Sequence, residues 1–113
     1  MANQEIPKLI IVSPCYNEEA ILRYSADTLT SFLKRVIALG KIAPSSRILY
    51  VNDGSRDRTW SLIEELHKDN SSVEGLSLAK NVGSELAVMA GMMVARERAD
   101  VVVTIDADLQ DDV

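Results

Sequence analysis

Four short apolar runs restrict the fold of this chain more than any other feature. They cover residues 9–12, 48–51, 76–79 and 101–105. The first, second and fourth are rich in β-branched residues and do not alternate with polar ones, which is typical of strands covered on both faces in a parallel sheet. The third is interrupted by a serine and is weaker. We therefore predict four strands, of which the first, second and fourth are buried on both faces.

Helical patterns separate the predicted strands. The first helix is expected to begin near Asn17, a good N-cap with glutamates in the following turn, and to run to Gly40. The second is expected to begin with Ser55 or Asp57 as its cap and to end within residues 68–72.

The third helix is predicted from Ser84 to about Arg98. Its apolar face should combine small residues, which allow a close approach to the sheet, with methionines that pack in the core. These residues are Ala87, Ala90, Gly91, Val94, Met89, Met92 and Met93. The alternation of strands and helices predicts an α/β doubly wound domain, a Rossmann-like three-layer sandwich with a mainly parallel sheet.

The length and net charge of the chain limit the number of domains and the classes of partner. Its 113 residues have room for one domain, and a net charge of −5 argues against a nucleic-acid partner, which requires a basic face. The single cysteine, Cys15, is interpreted as a small buried residue in a protein of a reducing, cytoplasmic compartment. The visible sequence has no leader pattern and no apolar run near the ~20 residues of a membrane span. Because the sequence stops soon after the last apolar run, we expect the natural domain to continue.

Each predicted strand is followed by polar, turn-forming residues. These segments are residues 13–18, 52–55, 80–83 and 106–112. The carboxyl ends of parallel strands lie at one edge of the sheet, where open α/β folds bind ligands, so we expect the segments to form one site. Each segment taken alone also fits an ordinary turn or helix cap.

A divalent cation would allow this acidic edge to hold a diphosphate. Neither Gly-x-Gly-x-x-Gly nor the P-loop pattern follows any of the strands, so the common backbone cradles for phosphate are missing from the sequence. Asp106 and Asp108 follow a predicted strand, and in an extended stretch they would face the same side as Gln110. Such hard oxygen ligands suit Mg²⁺ or Mn²⁺, which would stabilise the charge on a departing diphosphate.

Four motifs together carry a family resemblance. They are Ser-Pro-Cys-Tyr-Asn-Glu-Glu at 13–19, Val-Asn-Asp-Gly-Ser-Arg-Asp-Arg-Thr at 51–59, Lys-Asn-Val-Gly at 80–83 and Asp-Ala-Asp-Leu-Gln-Asp-Asp at 106–112. In order and spacing they resemble the N-terminal part of glycosyltransferase family 2, with the closest similarity to its polyprenyl-phosphate branch. The resemblance covers nearly the whole chain. It implies an incomplete GT-A nucleotide-sugar-binding domain over residues 1–113, with the strand order 3-2-1-4.

The resemblance also implies which residues form the site. Asp53 would hydrogen-bond the base, and the acidic motif after the fourth strand would serve ribose, diphosphate and metal. The nucleotide-sugar-binding residues would be Pro14, Tyr16, Asn17, Glu18, Asp53, Gly54, Ser55, Lys80, Asp106, Ala107 and Asp108. The metal ligands would be Asp106, Asp108 and Gln110.

The implied reaction is transfer of a sugar from a UDP- or GDP-sugar to a polyprenyl phosphate at the cytoplasmic face of the membrane. The family's later acidic motif, acceptor-binding segments and C-terminal membrane helices do not occur in these 113 residues. No catalytic residue is therefore assigned, and we expect the isolated chain to be inactive. Membrane attachment is expected through the C-terminal region, and a homo-oligomer is a further expectation. The alternative is a nucleotide-binding α/β module without catalysis.

Overall fold

The computed structural model describes residues 6–108, within which the apolar runs form one parallel sheet. The elements in chain order are β1 (Leu9–Cys15), α1 (Leu22–Ala38), β2 (Arg47–Asn52), α2 (Thr59–Asp69), β3 (Val73–Ser77), α3 (Ser84–Ala95) and β4 (Val101–Thr104). The strands pair in parallel in the order β3-β2-β1-β4. The α/β class and the strand order are therefore confirmed.

Helices cover both faces of the sheet because β1 and β2 are apolar on both sides. On one face, Ile11 and Tyr50 belong to a buried cluster with residues of α1 and α2. On the other face, Val12 and Val51 pack in a second cluster with residues of α3. Burial of each such side chain contributes about 1.5–3 kcal/mol to folding. The result is the predicted three-layer arrangement, in which β1 and β2 are packed between helices.

Helix α3 approaches the sheet through small residues, as predicted. A Cβ atom added at Gly91 would lie 2.6 Å from Cγ1 of Val12 and 2.7 Å from Cγ2 of Val51, so glycine is the residue that fits there. The buried stripe of the helix consists of Ala87, Gly91 and Ala95. Their spacing of four residues places them on one side of the helix.

The predicted core role of the α3 methionines is wrong. Met89 and Met93 are 56% and 61% exposed, and Met92 is also exposed. The stripe of small residues occupies the side that faces the sheet, so these methionines project from the other sides of the helix.

Helix α1 begins at Leu22, with Ile21 as its N-cap residue, and not near Asn17 as predicted. Asn17 has a φ of 53°, which is a left-handed conformation that an α-helix does not contain. Its side chain is engaged with the loop after β2 instead, as described below. A short loop therefore separates β1 from α1.

Helix α2 begins at Thr59, with Arg58 at the N-cap position. Asp57, one of the two predicted caps, accepts a hydrogen bond at Oδ1 from the main-chain nitrogen of Thr59 at 2.9 Å, and so does bond to the first amide of the helix. Ser55, the other predicted cap, accepts a hydrogen bond from the loop after β1 instead, because the same residue types serve helix caps and contacts between loops.

The edge strands differ most from the sequence expectation. Strand β3 lies at Val73–Ser77, earlier than the predicted residues 76–79, because its register is set by pairing with β2. The expected burial of β4 on both faces is wrong for the described residues, since Val101 and Val103 are 44% and 39% exposed. Within residues 6–108, no helix has the length and apolarity needed to cross a membrane.

Candidate functional site

A pocket of about 400 Å³ opens at the carboxyl ends of β1 and β4, beside the end of β2. In the sheet β1 lies between β2 and β4, so the order of the strands changes direction at β1. At such a switch point the carboxyl ends of the strands in an open α/β sheet form a ligand-binding crevice. The pocket is lined by Pro14, Cys15, Tyr16, Glu18, Asp53, Asn81, Gly83, Ser84, Asp106, Ala107 and Asp108.

The pocket contains most of the residues that the sequence predicted for a ligand site. The predicted residues that line it are Pro14, Tyr16, Glu18, Asp53, Asp106, Ala107 and Asp108. The predicted residues that lie outside its lining are Asn17, Gly54, Ser55 and Lys80. The predicted metal ligand Gln110 lies outside the described residues.

Four lining residues were not predicted to bind a ligand: Cys15, Asn81, Gly83 and Ser84. Asn81 and Gly83 belong to the motif at 80–83, in which the family resemblance implies a role near the nucleotide for Lys80. A motif on a loop brings its backbone and its neutral side chains to a site as readily as its charged side chain. This is the signal that could have identified them.

Asp53 joins the end of β2 to the loop before α3. Its carboxylate is buried, at 2% exposure. Oδ1 accepts a hydrogen bond from the main-chain nitrogen of Val82 at 2.8 Å, and Oδ2 accepts from that of Gly83 and from Nδ2 of Asn81, both at 3.0 Å. Three donors on two oxygens satisfy a buried carboxylate without a counter-ion. Asp53 therefore fixes the wall of the pocket that these loop residues form.

Gly54 makes a close approach of the same two loops feasible. Its φ is 66°, and a Cβ atom added there would lie 2.4 Å from the main-chain nitrogen of Asn81 and 2.6 Å from the carbonyl carbon of Lys80. Only glycine, which has no Cβ atom, can adopt this positive φ and also allow so close a contact with the main chain. Gly54 thus acts on the pocket through the backbone, although it does not line it.

Hydrogen bonds from the loop after β2 and from the first residue of α2 hold the loop after β1. The main-chain nitrogen of Asn17 donates to Oγ of Ser55 at 3.0 Å, and that of Glu18 donates to Oγ1 of Thr59 at 2.8 Å. In return, Oδ1 of Asn17 accepts from the main-chain nitrogen of Arg56 at 2.9 Å. Asn17 and Ser55, two predicted ligand-binding residues, therefore serve in the structure as supports for neighbouring pocket residues.

Three carboxylates give the pocket a negative end. Partial burial raises the pKa of Glu18, and the negative charges of Asp108, Asp106 and Asp57 raise it further. Carboxylate oxygens are the donors that Mg²⁺ and Mn²⁺ prefer, so this crowding fits a divalent cation. Asp106 and Asp108 both line the pocket, although within residues 6–108 no group of three or more His, Cys, Asp or Glu side chains is arranged as a metal cluster. Further donors would have to come from a ligand, from water or from other residues.

Cys15 lines the pocket but lacks the properties of a nucleophile. It is 1% exposed, and burial followed by the charge of Glu18 raises the pKa of its thiol far above the ordinary range. The thiolate is the reactive form of cysteine, and this environment suppresses it. The interpretation of Cys15 as a small buried residue is therefore consistent with its surroundings.

Comparison with known proteins identifies the family. A family model described as "Glycosyl transferase family 2" matches residues 10–113. The chain is 47% identical over 110 residues to the uncharacterized glycosyltransferase YkoT of Bacillus subtilis (strain 168), covering 97% of this chain and 33% of YkoT. It is 35% identical over 112 residues to an undecaprenyl-phosphate 4-deoxy-4-formamido-L-arabinose transferase of Aeromonas hydrophila, covering 97% of this chain and 32% of that protein. The chain therefore spans about a third of the length of these relatives.

A solved structure has the same fold. The mannosyltransferase PcManGT from Pyrobaculum calidifontis, in complex with GDP-Man and Mn²⁺, superposes with a TM-score of 0.72 at 18% sequence identity. The match covers 93% of this chain and 28% of the mannosyltransferase chain, which supports a GT-A Rossmann-like fold. The fold, the family model and the two relatives agree, and the chain belongs to glycosyl transferase family 2.

Proposed function

We propose that this chain is the nucleotide-sugar-binding part of a metal-dependent glycosyltransferase. The observation that carries the proposal is the convergence of Asp106 and Asp108 with Tyr16, Glu18 and Asp53 on one pocket at the switch point of the sheet. The position of the pocket suits a nucleotide, and the paired carboxylates suit a cation that neutralises a diphosphate. Membership of family 2 supports the same function.

Tyr16 and Asp53 are proposed to bind the nucleoside. Tyr16 is 43% exposed at the pocket, so its ring is available to a nucleoside. Asp53 would hydrogen-bond the base, in the turn that Gly54 and Ser55 shape, and Lys80 would lie near the nucleotide. The carboxylate of Asp53 already accepts three hydrogen bonds, and its two oxygens can accept a fourth, from the base.

Asp106 and Asp108 would hold Mg²⁺ or Mn²⁺ at the diphosphate, with Gln110 as a further ligand. When bound, the cation would supply Lewis-acid stabilisation of the negative charge on the leaving nucleoside diphosphate. Glu18 lies close enough to Asp106 and Asp108 for their charges to raise its pKa, so it adds to the negative potential that attracts a cation. The structural neighbour bound to GDP-Man and Mn²⁺ supports this choice of cofactor.

The acceptor is proposed to be a polyprenyl phosphate at the cytoplasmic face of a membrane. The name of the Aeromonas hydrophila relative, an undecaprenyl-phosphate transferase, supports this acceptor class. Attachment to the membrane would use residues beyond this chain, and the assembly could include more than one copy. Because the chain spans about a third of such relatives, we propose that residues 1–113 alone bind the donor without turning it over.

Calorimetric titration with UDP, GDP, UDP-glucose and GDP-mannose, each with and without Mn²⁺, tests the proposal. Binding should require Mn²⁺ and should weaken by at least about tenfold in Asp108→Asn, because one charged donor is lost. Asp69→Asn, at the exposed end of α2, is the control and should bind normally.

Each outcome of the titration has a meaning. Metal-independent binding that survives in Asp108→Asn would favour the alternative, a nucleotide-binding module without catalysis. Absence of binding by all four ligands would contradict both functions. Equal losses in Asp108→Asn and Asp69→Asn would contradict the assignment of the metal site.

A further inference from the structure

The hydroxyl of Thr59 occupies an unusual position for the first residue of a helix. Thr59 is fully buried, and its main-chain nitrogen donates a hydrogen bond to Oδ1 of Asp57 at 2.9 Å. Oγ1 of Thr59 donates a hydrogen bond to Oδ1 of Asp57 and accepts one from the main-chain nitrogen of Glu18 at 2.8 Å. The amide of Glu18 can only donate and an ionised carboxylate can only accept. The direction of both bonds is therefore fixed, and the hydroxyl connects α2 to the loop after β1.

The bond between Thr59 and Glu18 is one of six hydrogen bonds that join residues 17–19 to residues 55–59 in both directions. The amides of residues 17 and 19 donate to side chains of the loop after β2, and that of residue 18 donates to Thr59 at the start of α2. In return, the amides of residues 56, 57 and 58 donate to side chains of the loop after β1. Among the three side-chain acceptors for residues 17–19, Thr59 makes the shortest bond and is the most buried. A buried hydrogen bond is costly to remove when its partner stays unsatisfied.

The loop after β1 depends on such support. Asn17 has a left-handed φ of 53°, which asparagine adopts more readily than most residues, and its side chain and main chain are both bonded to the loop after β2 in this conformation. Its neighbours on either side, Tyr16 and Glu18, both line the pocket. A loop that relaxed at Asn17 would move both pocket residues.

We propose that Thr59 is a positioning residue of the nucleotide pocket, whose hydroxyl holds the main chain at Glu18 so that Tyr16 and Glu18 face the ligand. Thr59 does not line the pocket and acts through the loop after β1. The role in ligand binding rests on the proposed function, whereas the control of the loop does not.

Three variants test this role in the 113-residue chain. Thr59→Val keeps the shape of the side chain and removes the hydroxyl, and Thr59→Ser keeps the hydroxyl and removes the methyl group. Thr30→Val is the matched control, because Oγ1 of Thr30 accepts a hydrogen bond from Nδ2 of Asn70 at 3.0 Å, outside the pocket lining. Circular dichroism and urea unfolding of all three verify that they fold.

The first measurement is amide hydrogen exchange by NMR without nucleotide. We expect protection of the Glu18 amide to fall at least about tenfold in Thr59→Val, with shifted resonances of Tyr16, and to be retained in Thr59→Ser and Thr30→Val. Unchanged exchange in Thr59→Val, or failure of Thr59→Ser to restore protection, would overturn the proposal.

The second measurement is affinity for GDP or UDP with Mn²⁺, using whichever nucleotide the unmodified protein binds more tightly. Affinity should fall about tenfold in Thr59→Val and stay within about twofold in the other two variants. Altered exchange with unchanged affinity, or an equal loss in Thr30→Val, would overturn the positioning role. If the unmodified protein bound neither nucleotide, the proposed function would fail, while the exchange data would still decide whether Thr59 controls the loop.

Discussion

The Asp53 carboxylate lies 2.8 Å from the main-chain nitrogen of Val82, and this bond ties the end of β2 to the loop before α3. The two residues are far apart in sequence, so the contact forms only when the sheet and α3 are both in place. The same carboxylate also accepts from Gly83 and Asn81. Asp53 therefore contributes to the stability of the fold, and under the proposed function the same carboxylate would also contact the base.

Asp53→Asn should destabilise the protein by about 1–3 kcal/mol and weaken nucleotide binding. An amide offers one oxygen in place of two, and its NH₂ group would face a donor, so at least one N–H of the loop before α3 would lose its partner beside a buried side chain. Urea unfolding measures the first effect and calorimetry the second. The exposed Asp69→Asn should change the free energy of unfolding by less than about 0.5 kcal/mol. Equal stability of the two variants would contradict the structural role of Asp53.

Alanine at Gly54 should be much more harmful than alanine at Gly40. Both glycines have positive φ, 66° and 75°, so both substitutions carry the ~1–2 kcal/mol cost of a left-handed residue with a Cβ atom. At Gly54 the Cβ atom would also lie 2.4 Å from the main-chain nitrogen of Asn81, whereas at Gly40 nothing lies within 4 Å.

We expect the free energies of unfolding of these two alanine variants to differ by at least about 1 kcal/mol. The added Cβ atom at Gly54 would press on main-chain atoms, which cannot move aside easily, whereas the one at Gly40 would meet nothing. Urea unfolding of Gly54→Ala and Gly40→Ala measures it directly. Indistinguishable unfolding midpoints would show that the two loops are not in close contact.

The strands could be predicted because their signal is local. β-branched runs identified β1, β2 and β4, and polar residues after them indicated the edge that carries the pocket. The bonds between the loops could not be predicted, because Asn17 bonds with residues 38 to 40 positions away and has the same local pattern as a helix cap. The methionines of α3 were misplaced because an almost wholly apolar helix has no polar face to indicate which side meets the sheet.

The hydrogen bond between the buried hydroxyls of Tyr50 and Ser25 should couple the effects of mutating the two residues on the free energy of unfolding, and a double-mutant cycle should detect this coupling. Their hydroxyl oxygens lie 2.8 Å apart, and both residues are fully buried. Tyr50→Phe and Ser25→Ala should each cost about 1–2 kcal/mol, since each leaves one buried hydroxyl unpaired. The double variant should cost less than the sum of the two, by about 1 kcal/mol, because no unpaired hydroxyl remains. Strict additivity in urea unfolding would show that the bond contributes nothing.

Glu18→Gln should stabilise the ligand-free protein at pH 7 and not at acidic pH. Burial and the charges of Asp108, Asp106 and Asp57 raise the pKa of Glu18 in the folded state, so the folded protein holds this proton to a higher pH than the unfolded chain does. The free energy of unfolding therefore falls as the pH rises from the unfolded to the folded pKa of Glu18. Above the folded pKa, the destabilisation by the ionised Glu18 carboxylate is complete. Glutamine carries no charge and avoids this cost.

The gain for Glu18→Gln should be below about 1 kcal/mol, because the carboxylate is partly exposed and solvent screens it. Thermal unfolding at pH 7 and near pH 4, just below the ordinary pKa of an unfolded Glu at about 4.3, measures its pH dependence. Glu97→Gln, on the exposed residue just after α3, is the control and should show no such dependence. A gain of the same size at both pH values would mean that packing, and not the crowding of three carboxylates, determines the effect, and the electrostatic basis for a cation at this edge would be lost.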